Sequence, residues 1–230
     1  MPRYVSFVIL TSLLSLLPRF GQAGVIMESE PNNTLAGAQN IDGHFTLDFR
    51  GDIGNGDHVT NTSTTIPHVT IIGSGNGTYD YYSFTVTTTT PRYAIFDIDY
   101  TTDGFDSHLA IWSADGTLLG HNDDYDHLGG ADGSVSDLDS LHALYLMESG
   151  TFIVGVARSN AGPDFGGFTG NAPETGDRYV LHVSVEGQEV PEPASLTLLG
   201  LGGAVCLGRR WWRRRRSGCV SRHATTGRAG

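Results

Sequence analysis

The chain has 230 residues, with 31 glycines, no lysine, and 25 acidic residues against 14 arginines. All the acidic residues lie between Glu28 and Glu192, where only four of the arginines occur, so the middle of the chain is strongly negative. Such a surface repels nucleic acid and attracts divalent cations, which excludes a nucleic-acid-binding protein. The glycine-rich composition is typical of short strands joined by tight turns. Both cysteines, Cys206 and Cys219, lie near the C-terminus, so the middle of the chain holds no disulfide.

The first 23 residues have the pattern of a secretory signal peptide. Arg3 precedes an apolar run from residue 5 to residue 17, and Gly21 and Ala23 place small residues where signal peptidase cleaves. The run is too short for a stable membrane span. We therefore expect residues 1–23 to be removed by signal peptidase and the remainder to be exported.

An acidic, amide-rich segment follows. Glu28 and Glu30 precede Pro31, which fixes its own φ and favours an extended Glu30, so both carboxylates project in the same direction. Asn32 and Asn33 then turn the chain. Carboxylate and amide oxygens that converge from one short segment suit a hard cation such as Ca²⁺. The alternative is a solvated segment whose asparagines cap local turns.

Alternation of apolar and polar residues predicts eight or nine half-buried strands. Between the first two lies a loop over residues 51–65, which is long for a compact domain and indicates either a functional or a mobile excursion. The apolar sets predicted to share an inward face are Tyr82, Phe84 and Val86; Ala94, Phe96, Ile98 and Tyr100; Phe152, Val154 and Val156; and Tyr179, Leu181, Val183 and Val185. The predicted strands cover residues 44–49, 67–72, 79–86, 92–100, 109–112, 118–119, 141–146, 151–157 and 178–185.

A hairpin and an acidic loop stand in the middle of the chain. Asp115 and Gly116 separate two apolar runs, and Asp-Gly between such runs is a strong hairpin signal because glycine accepts a positive φ. The loop that follows carries Asp123, Asp124 and Asp126 within a few residues. Carboxylates this close repel one another unless a cation or water screens them, so the loop is a candidate binding site.

The strand pattern, with no amphipathic helix, predicts an all-β fold: an antiparallel β-sandwich of jelly-roll type over residues 24–187. The signal peptide precedes it. After it we expect a sorting segment over residues 188–216 and an unstructured extension over residues 217–230.

Several motifs in this order resemble the bacterial pre-peptidase C-terminal (PPC) domain, a small β-sandwich appended to exported proteins. They are EPNNT, DYYSFTV, FDSHLAIW, DGTLLGHNDD, SGTFIVGV and YVLHV, and they span roughly residues 28–185. The resemblance implies that an acidic, asparagine-containing N-terminal segment ligates calcium, as in relatives that bind this ion. With the acidic loops added, the expected ligands of a bound Ca²⁺ are Glu28, Glu30, Asn32, Asn33, Asp80, Asp106, Asp123 and Asp124.

The C-terminal segment has three consecutive parts. Pro191, Glu192 and Pro193 precede an apolar run from residue 195 to residue 207, which is followed by a cluster of arginines. At about 1.5 Å per residue, roughly 14 apolar positions span about 21 Å, less than the roughly 30 Å of a bilayer core. The basic cluster is expected on the cytoplasmic side with its tryptophans at the membrane interface. The membrane-flanking residues are Arg209, Arg210, Trp211, Trp212 and Arg213.

This arrangement resembles the PEP-CTERM sorting signal of Gram-negative envelope proteins. The resemblance implies an exosortase-type enzyme that reads and cleaves the segment, transient attachment to the inner membrane, and release to the cell envelope or the extracellular space. Residues 217–230 continue past the basic cluster, where that signal normally ends. A plain C-terminal anchor is the alternative.

The sequence contains no catalytic set that its spacing singles out. His121 and His127 are six residues apart in a loop, not a metal-binding pair on a helix, and no nucleophile elbow occurs. Asp97 and Asp99 share one face of a strand, as a glycosidase pair would, but their alternation against apolar residues predicts a solvated outer face. The strand histidines, His182 among them, are interpreted as exposed or hydrogen-bonded strand residues.

The leading functional prediction is therefore a non-catalytic, exported β-sandwich of the cell envelope or extracellular matrix, strengthened by calcium. A carbohydrate- or protein-binding adhesion module is the first alternative, with extracellular polysaccharide or a matrix protein as its partner. It requires aromatic residues such as Tyr81, Tyr100 and Trp112 to be exposed in a row. A hydrolase that uses the Asp123 to Asp126 loop is the second alternative, and it requires a pocket with a carboxylate of shifted pKa.

Overall fold

The computed structural model describes residues 24–54, 60–102, 104–124, 136 and 138–191. They belong to a unit that runs from Gln22 to Pro191. The predicted signal peptide, most of the sorting segment, the C-terminal extension, Asp126 and His127 lie outside the described residues. None of the helical segments among the described residues has the length and hydrophobicity needed to cross a bilayer.

The described residues form a β-sandwich of two five-stranded sheets, as the sequence predicts. The first sheet has the strand order β1-β3-β12-β5-β8, the second has the order β2-β4-β9-β6-β7, and β10 and β11 form a separate hairpin. The strands are β1 (Val25–Met27), β2 (Gln39–Asn40), β3 (His68–Ser74), β4 (Asp80–Val86), β5 (Arg92–Asp99), β6 (Ser107–Ser113), β7 (Leu118–Asn122), β8 (Leu141–Leu146), β9 (Gly150–Arg158), β10 (Gly162–Asp164), β11 (Gly167–Thr169) and β12 (Arg178–Val185).

Both sheets are mixed, whereas the sequence predicts antiparallel pairing throughout. β1 runs parallel to β3, and β2 runs parallel to β4, each at the edge of its sheet. Parallel neighbours require a long connection, and the chain between β2 and β3 supplies one. The short strands near the N-terminus are what the strand periodicity missed, because two or three residues carry no readable alternation.

The main hydrophobic core lies between the two sheets. Phe84 on β4, Phe96 on β5, Phe152 on β9 and Leu181 on β12 are all buried there, in agreement with the predicted inward faces. Phe84 contacts both Phe96 and Phe152, with ring centroids 5.9 Å apart in each case. These contacts hold the two sheets face to face.

The predicted hairpin at Asp115 and Gly116 is present between β6 and β7. Gly116 has φ +88°, which is the left-handed conformation that a tight turn requires. The Asp115 carboxylate accepts hydrogen bonds from Ser113 Oγ and from the Thr117 backbone N–H. The turn therefore has its expected chemistry.

The predicted strand over residues 44–49 is absent. Only Thr46 pairs with β3, through a single bridge to His68, while Leu47 and Phe49 are exposed. β1 pairs with residues 70–72 along this same edge of β3, so no further strand can continue there. Tyr100, predicted to point inward, is also exposed, because the chain leaves β5 at this residue with φ +55°.

The outer face of the first sheet is covered, which the sequence did not predict. Part of the chain between β2 and β3 packs across it, and Ile66 joins Ile95 and Leu141 in a small apolar cluster. Asp97 and Asp99 are consequently buried, at 3% and 0% exposure, so their predicted solvated face is wrong. Alternation along one strand distinguishes its apolar face from its polar face, but it does not show whether another segment covers the polar face.

The outer face of the second sheet is covered by the β10–β11 hairpin. Phe168 of β11 packs on Tyr81 and Trp112, and the indole N–H of Trp112 donates to the Asp164 carbonyl at 2.8 Å. Tyr81 and Trp112 are thus buried in an aromatic cluster. Of the three aromatic residues that an exposed binding row requires, only Tyr100 is on the surface.

Candidate functional site

Three carboxylates predicted as cation ligands meet at one end of the sandwich. Glu28 and Glu30 follow β1, and Asp80 is the first residue of β4. One oxygen of each lies within 4.8 Å of the corresponding oxygen of the other two. The sequence prediction that Glu28 and Glu30 project in the same direction is consistent with this geometry. We call Glu28, Glu30 and Asp80 the triple-carboxylate cluster.

Glu28 is held in place through both of its carboxylate oxygens. Its Oε1 accepts from Tyr82 Oη at 2.9 Å and from Asn32 Nδ2 at 3.1 Å. Its Oε2 accepts from the Ser74 backbone N–H at 2.8 Å. These bonds come from three different parts of the chain, so the carboxylate is oriented before any ligand arrives.

Glu30 and Asn32 are joined to the cluster by hydrogen bonds. The Glu30 carboxylate accepts from the Asn32 backbone N–H at 3.0 Å and from Asn76 Nδ2. Asn32 is fully buried, and the Oδ1 atoms of Asn32 and Asn33 are both buried without a hydrogen-bond partner. Buried acceptors without a donor are costly, and a cation is one group that satisfies them.

Asp80 is fully buried at the inner side of the cluster. Burial, followed by the negative charge of Glu28, raises the pKa of Asp80 to about 8. Its Oδ2 lies 2.8 Å from Tyr179 Oη, whereas its Oδ1 has no hydrogen-bond partner. Burial also raises the pKa of Tyr179 well above its usual value, so this phenol stays protonated.

Short contacts link the two phenols with the cluster. Tyr179 Oη donates to Asp80, Tyr82 Oη donates to Glu28, and the two hydroxyl oxygens lie 2.7 Å apart. A divalent cation at the cluster would lower the pKa of Asp80, because it favours the ionised carboxylate.

The cluster suits a hard cation by its chemistry. Its donors are all oxygens, from carboxylates and amides, and Ca²⁺ takes six to eight oxygen ligands at about 2.3–2.6 Å. Three carboxylates that each bind through one or two oxygens would supply about half of these ligands or more. The residues present therefore fit Ca²⁺.

The other predicted ligands lie elsewhere. Asp106, Asp123 and Asp124 belong to neither of the two groups of three potential metal ligands among the described residues. Asp106 precedes β6, and its backbone carbonyl accepts from the Ser159 N–H at 2.9 Å. The Asp123 carbonyl accepts from Ser140 Oγ at 3.2 Å. The structure thus brings together the N-terminal ligands and Asp80, but not these three loop aspartates.

Tyr82 and Tyr179 support the triple-carboxylate cluster, and the sequence did not indicate this role. Both were assigned only to the apolar inward faces of their strands. A signal was available for Tyr82, because Asp80 is two residues earlier on the same strand and therefore faces the same core. Nothing local indicates that Tyr179, from the last strand, reaches Asp80.

The hydrolase alternative uses the acidic loop that follows β7, of which Asp123 and Asp124 lie in the part of the chain that the structure describes. A cleft of about 670 Å³ lies beside the β6–β7 turn and is lined by residues of β8 and β9 as well, but Asp123 and Asp124 do not line it. His121 Nδ1 instead lies 3.2 Å from His108 Nε2.

Comparison with known proteins identifies one sequence motif. Residues 189–215 match the PEP-CTERM protein-sorting motif, which includes the predicted Pro191, Glu192 and Pro193. This motif implies an exosortase-type sorting enzyme as a partner, export of the chain, and anchoring in the membrane before processing. The fold and the motif together define an exported β-sandwich with a C-terminal sorting signal.

Two further comparisons concern the whole chain. No curated protein sequence matches it. The crystal structure of Aeromonas hydrophila PliG, a periplasmic lysozyme inhibitor of g-type lysozyme, is similar over 53% of this chain and 89% of that chain, with 16% sequence identity and a TM-score of 0.31. A TM-score this low carries no argument about the present protein.

Proposed function

We propose that this protein is a non-catalytic β-sandwich of the cell envelope or extracellular matrix, processed through its C-terminal signal and stabilised by calcium at the triple-carboxylate cluster. The match of residues 189–215 to the sorting motif carries the envelope assignment. The order of the motifs that resemble a PPC domain and the placement of Glu28 beside Asp80 support a PPC-like sandwich with a bound ion.

Mass spectrometry of the mature protein tests the processing. The chain is expressed in a host that has an exosortase, and the C-terminus of the envelope-associated protein is sequenced. We expect the arginine cluster at residues 209–216 to be missing. The arginine cluster should be retained in a triple variant that loses the recognised motif (Pro191→Ala, Glu192→Ala, Pro193→Ala).

A second chain separates the effect of the extension from that of the motif. A stop codon after Arg216 removes residues 217–230 and leaves the basic cluster at the end. Equal processing of this chain and the full chain would show that the extension is tolerated. An intact arginine cluster in both would contradict sorting by cleavage and leave a plain membrane anchor.

Thermal unfolding with calcium and with chelator tests the ion. Calcium at 100 times its Kd should stabilise the folded protein by about 2.7 kcal/mol, because the ion binds only the folded state. Asp80→Asn should abolish this stabilisation by calcium, since it replaces a buried, negatively charged ligand with a neutral amide. Asp106→Asn is the matched control, because it removes a loop carboxylate outside the cluster and should leave the response intact. An unchanged midpoint of thermal unfolding in calcium would contradict stabilisation by a bound calcium ion.

A further inference from the structure

A second group of ligand-type side chains lies on the outer face of the first sheet, away from the triple-carboxylate cluster. It comprises Asp52, Asp99 and His182, and one ligand atom of each lies within 4.8 Å of the other two. His182 is on β12 and Asp99 is on β5, the neighbouring strand. Asp52 comes from the chain that connects β2 with β3, which covers this face. We call these residues the two-aspartate, one-histidine cluster.

The distances suit ligands of one small metal ion. His182 Nε2 lies 3.3 Å from Asp99 Oδ2 and 3.7 Å from Asp52 Oδ2. Zinc binds imidazole nitrogen and carboxylate oxygen at about 2.0–2.2 Å, and tetrahedral ligands at that radius stand roughly 3.3–3.6 Å apart. The distances from His182 Nε2 to the two carboxylates are thus close to those between ligands of a single Zn²⁺.

The imidazole is oriented from its other side. His182 Nδ1 lies 3.0 Å from Thr70 Oγ1, on the next strand of the sheet. When Nδ1 carries the hydrogen and donates it to Thr70, the lone pair of Nε2 faces the two aspartates. Metal-binding histidines are commonly fixed in this way, by a hydrogen bond from the nitrogen that does not bind the metal.

An independent observation points to a missing ligand. His182 is 1% exposed, and its Nε2 atom is buried without a hydrogen-bond partner although it faces the two carboxylates. A buried ring nitrogen that makes no hydrogen bond is costly. Two carboxylates and one neutral imidazole also carry two negative charges, which one divalent ion neutralises.

We propose that Asp52, Asp99 and His182 form a binding site for a divalent transition-metal ion of the Zn²⁺ class, with Thr70 as the positioning residue for the imidazole. The nitrogen ligand distinguishes this site from the all-oxygen triple-carboxylate cluster, because imidazole favours zinc over calcium. The ion would tie the long β2–β3 connection to strands β5 and β12 of the sheet.

Zinc titration of the full-length chain in detergent tests the proposal. Both tail cysteines are replaced (Cys206→Ser, Cys219→Ser) so that they cannot bind zinc, and excess Ca²⁺ occupies other carboxylates. Zinc bound per chain is measured by equilibrium dialysis with elemental analysis. We call the chain with both cysteines replaced the background protein. We expect its Asp52→Asn variant to bind one Zn²⁺ fewer per chain than the background protein does.

Two further variants sharpen the result. Thr70→Val keeps all three ligands and removes the orienting hydrogen bond, so zinc affinity should fall about 10–100-fold. Asp97→Asn is the control, because Asp97 is a buried aspartate on the same strand and face but outside the cluster. It should bind zinc as the background does, and near-ultraviolet circular dichroism reports whether each variant is folded.

Two outcomes would overturn the proposal. One is the absence of zinc binding by the background protein, which would leave an ion pair between a protonated His182 and the aspartates. The other is unchanged zinc affinity in both folded Asp52→Asn and folded Thr70→Val, which would place the bound zinc elsewhere.

Discussion

The two clusters use opposite faces of the same strand. On β12, Tyr179 points into the sandwich and reaches Asp80, whereas His182 points outward and faces Asp99. Three residues along a strand correspond to about 10 Å, and an odd separation places the two side chains on opposite faces. One cluster is closed by phenols of the core and the other by a connecting segment. Burial of carboxylates in this protein therefore has two separate structural causes.

The direction of the histidine pKa shifts shows what the aspartates contribute. Burial lowers the pKa of His182, but the facing carboxylates of Asp52 and Asp99 outweigh it, so the pKa is raised. The same contact lowers the pKa of Asp52 to about 2. Burial likewise lowers the pKa of His108, and there the charge of Asp123 does not compensate for it.

The largest expected effect is the removal of the imidazole from the two-aspartate, one-histidine cluster. His182→Ala removes the imidazole that faces the buried Asp99 carboxylate and Asp52. Breaking a buried pair in this way costs about 3–5 kcal/mol of the free energy of unfolding. Urea unfolding measures it, with His142→Ala as the control on a half-buried histidine. A cost below that of the control would mean that His182 does not hold the two carboxylates together.

A smaller effect is expected from the phenol of the triple-carboxylate cluster. Tyr179→Phe removes the hydroxyl that lies between Asp80 and Tyr82, and a buried polar group left without its partner costs about 1–3 kcal/mol. Urea unfolding should show this loss, whereas Tyr145→Phe, on the exposed part of β8, should change stability by less than about 0.5 kcal/mol. Equal free energies of unfolding for the two variants would show that the hydroxyl of Tyr179 does not stabilise the protein.

The independence of the two clusters is tested by a double variant. Asp80→Asn and Asp52→Asn change separate clusters that share no partner, so their effects on the free energy of unfolding should add to within about 0.5 kcal/mol. Urea unfolding of both single variants and the double variant gives the coupling. A larger coupling would show that β12 transmits a change from one of its faces to the other.

The smallest expected effect concerns pH. The pKa of His108 in the folded protein lies below its value in the unfolded chain, because burial disfavours the charged ring. The unfolded chain then binds more protons as pH falls below about 6.5, so this residue lowers stability on acidification. His108→Gln should therefore gain stability relative to the wild type between about pH 7 and pH 5, as measured by urea unfolding at each pH. A constant difference across this range would contradict the lowered pKa.

Much of the fold was predictable because a long strand shows a clear alternation of apolar and polar residues. Strands β4, β5, β9 and β12 each have at least seven residues, and the apolar residues predicted to face inward from them are buried in the core. The strands that were missed, β1, β2, β10 and β11, are too short to show a period. Residues 44–49 alternate as a strand does and form none, because alternation reports which side chains can be buried and not whether a partner edge is free.

The candidate sites divide in the same way. Glu28, Glu30 and Asn32 lie close together in the chain, and their grouping followed from local geometry at Pro31. Asp80 was also predicted, from a motif. The contacts of Asp99 with His182, and of Asp80 with Tyr179, join residues more than 80 positions apart, and no periodicity within one strand can pair them.

The amino-acid order alone determined that this chain is a β protein with an export signal, a negative middle and a C-terminal sorting motif, because these properties depend on composition and on neighbours in the chain. The tertiary structure decided which acids are buried, and it brought β12 between two groups of carboxylates. That outcome depends on which segment covers each face of a sheet, a choice made by the packing of distant residues such as Ile66 on Ile95.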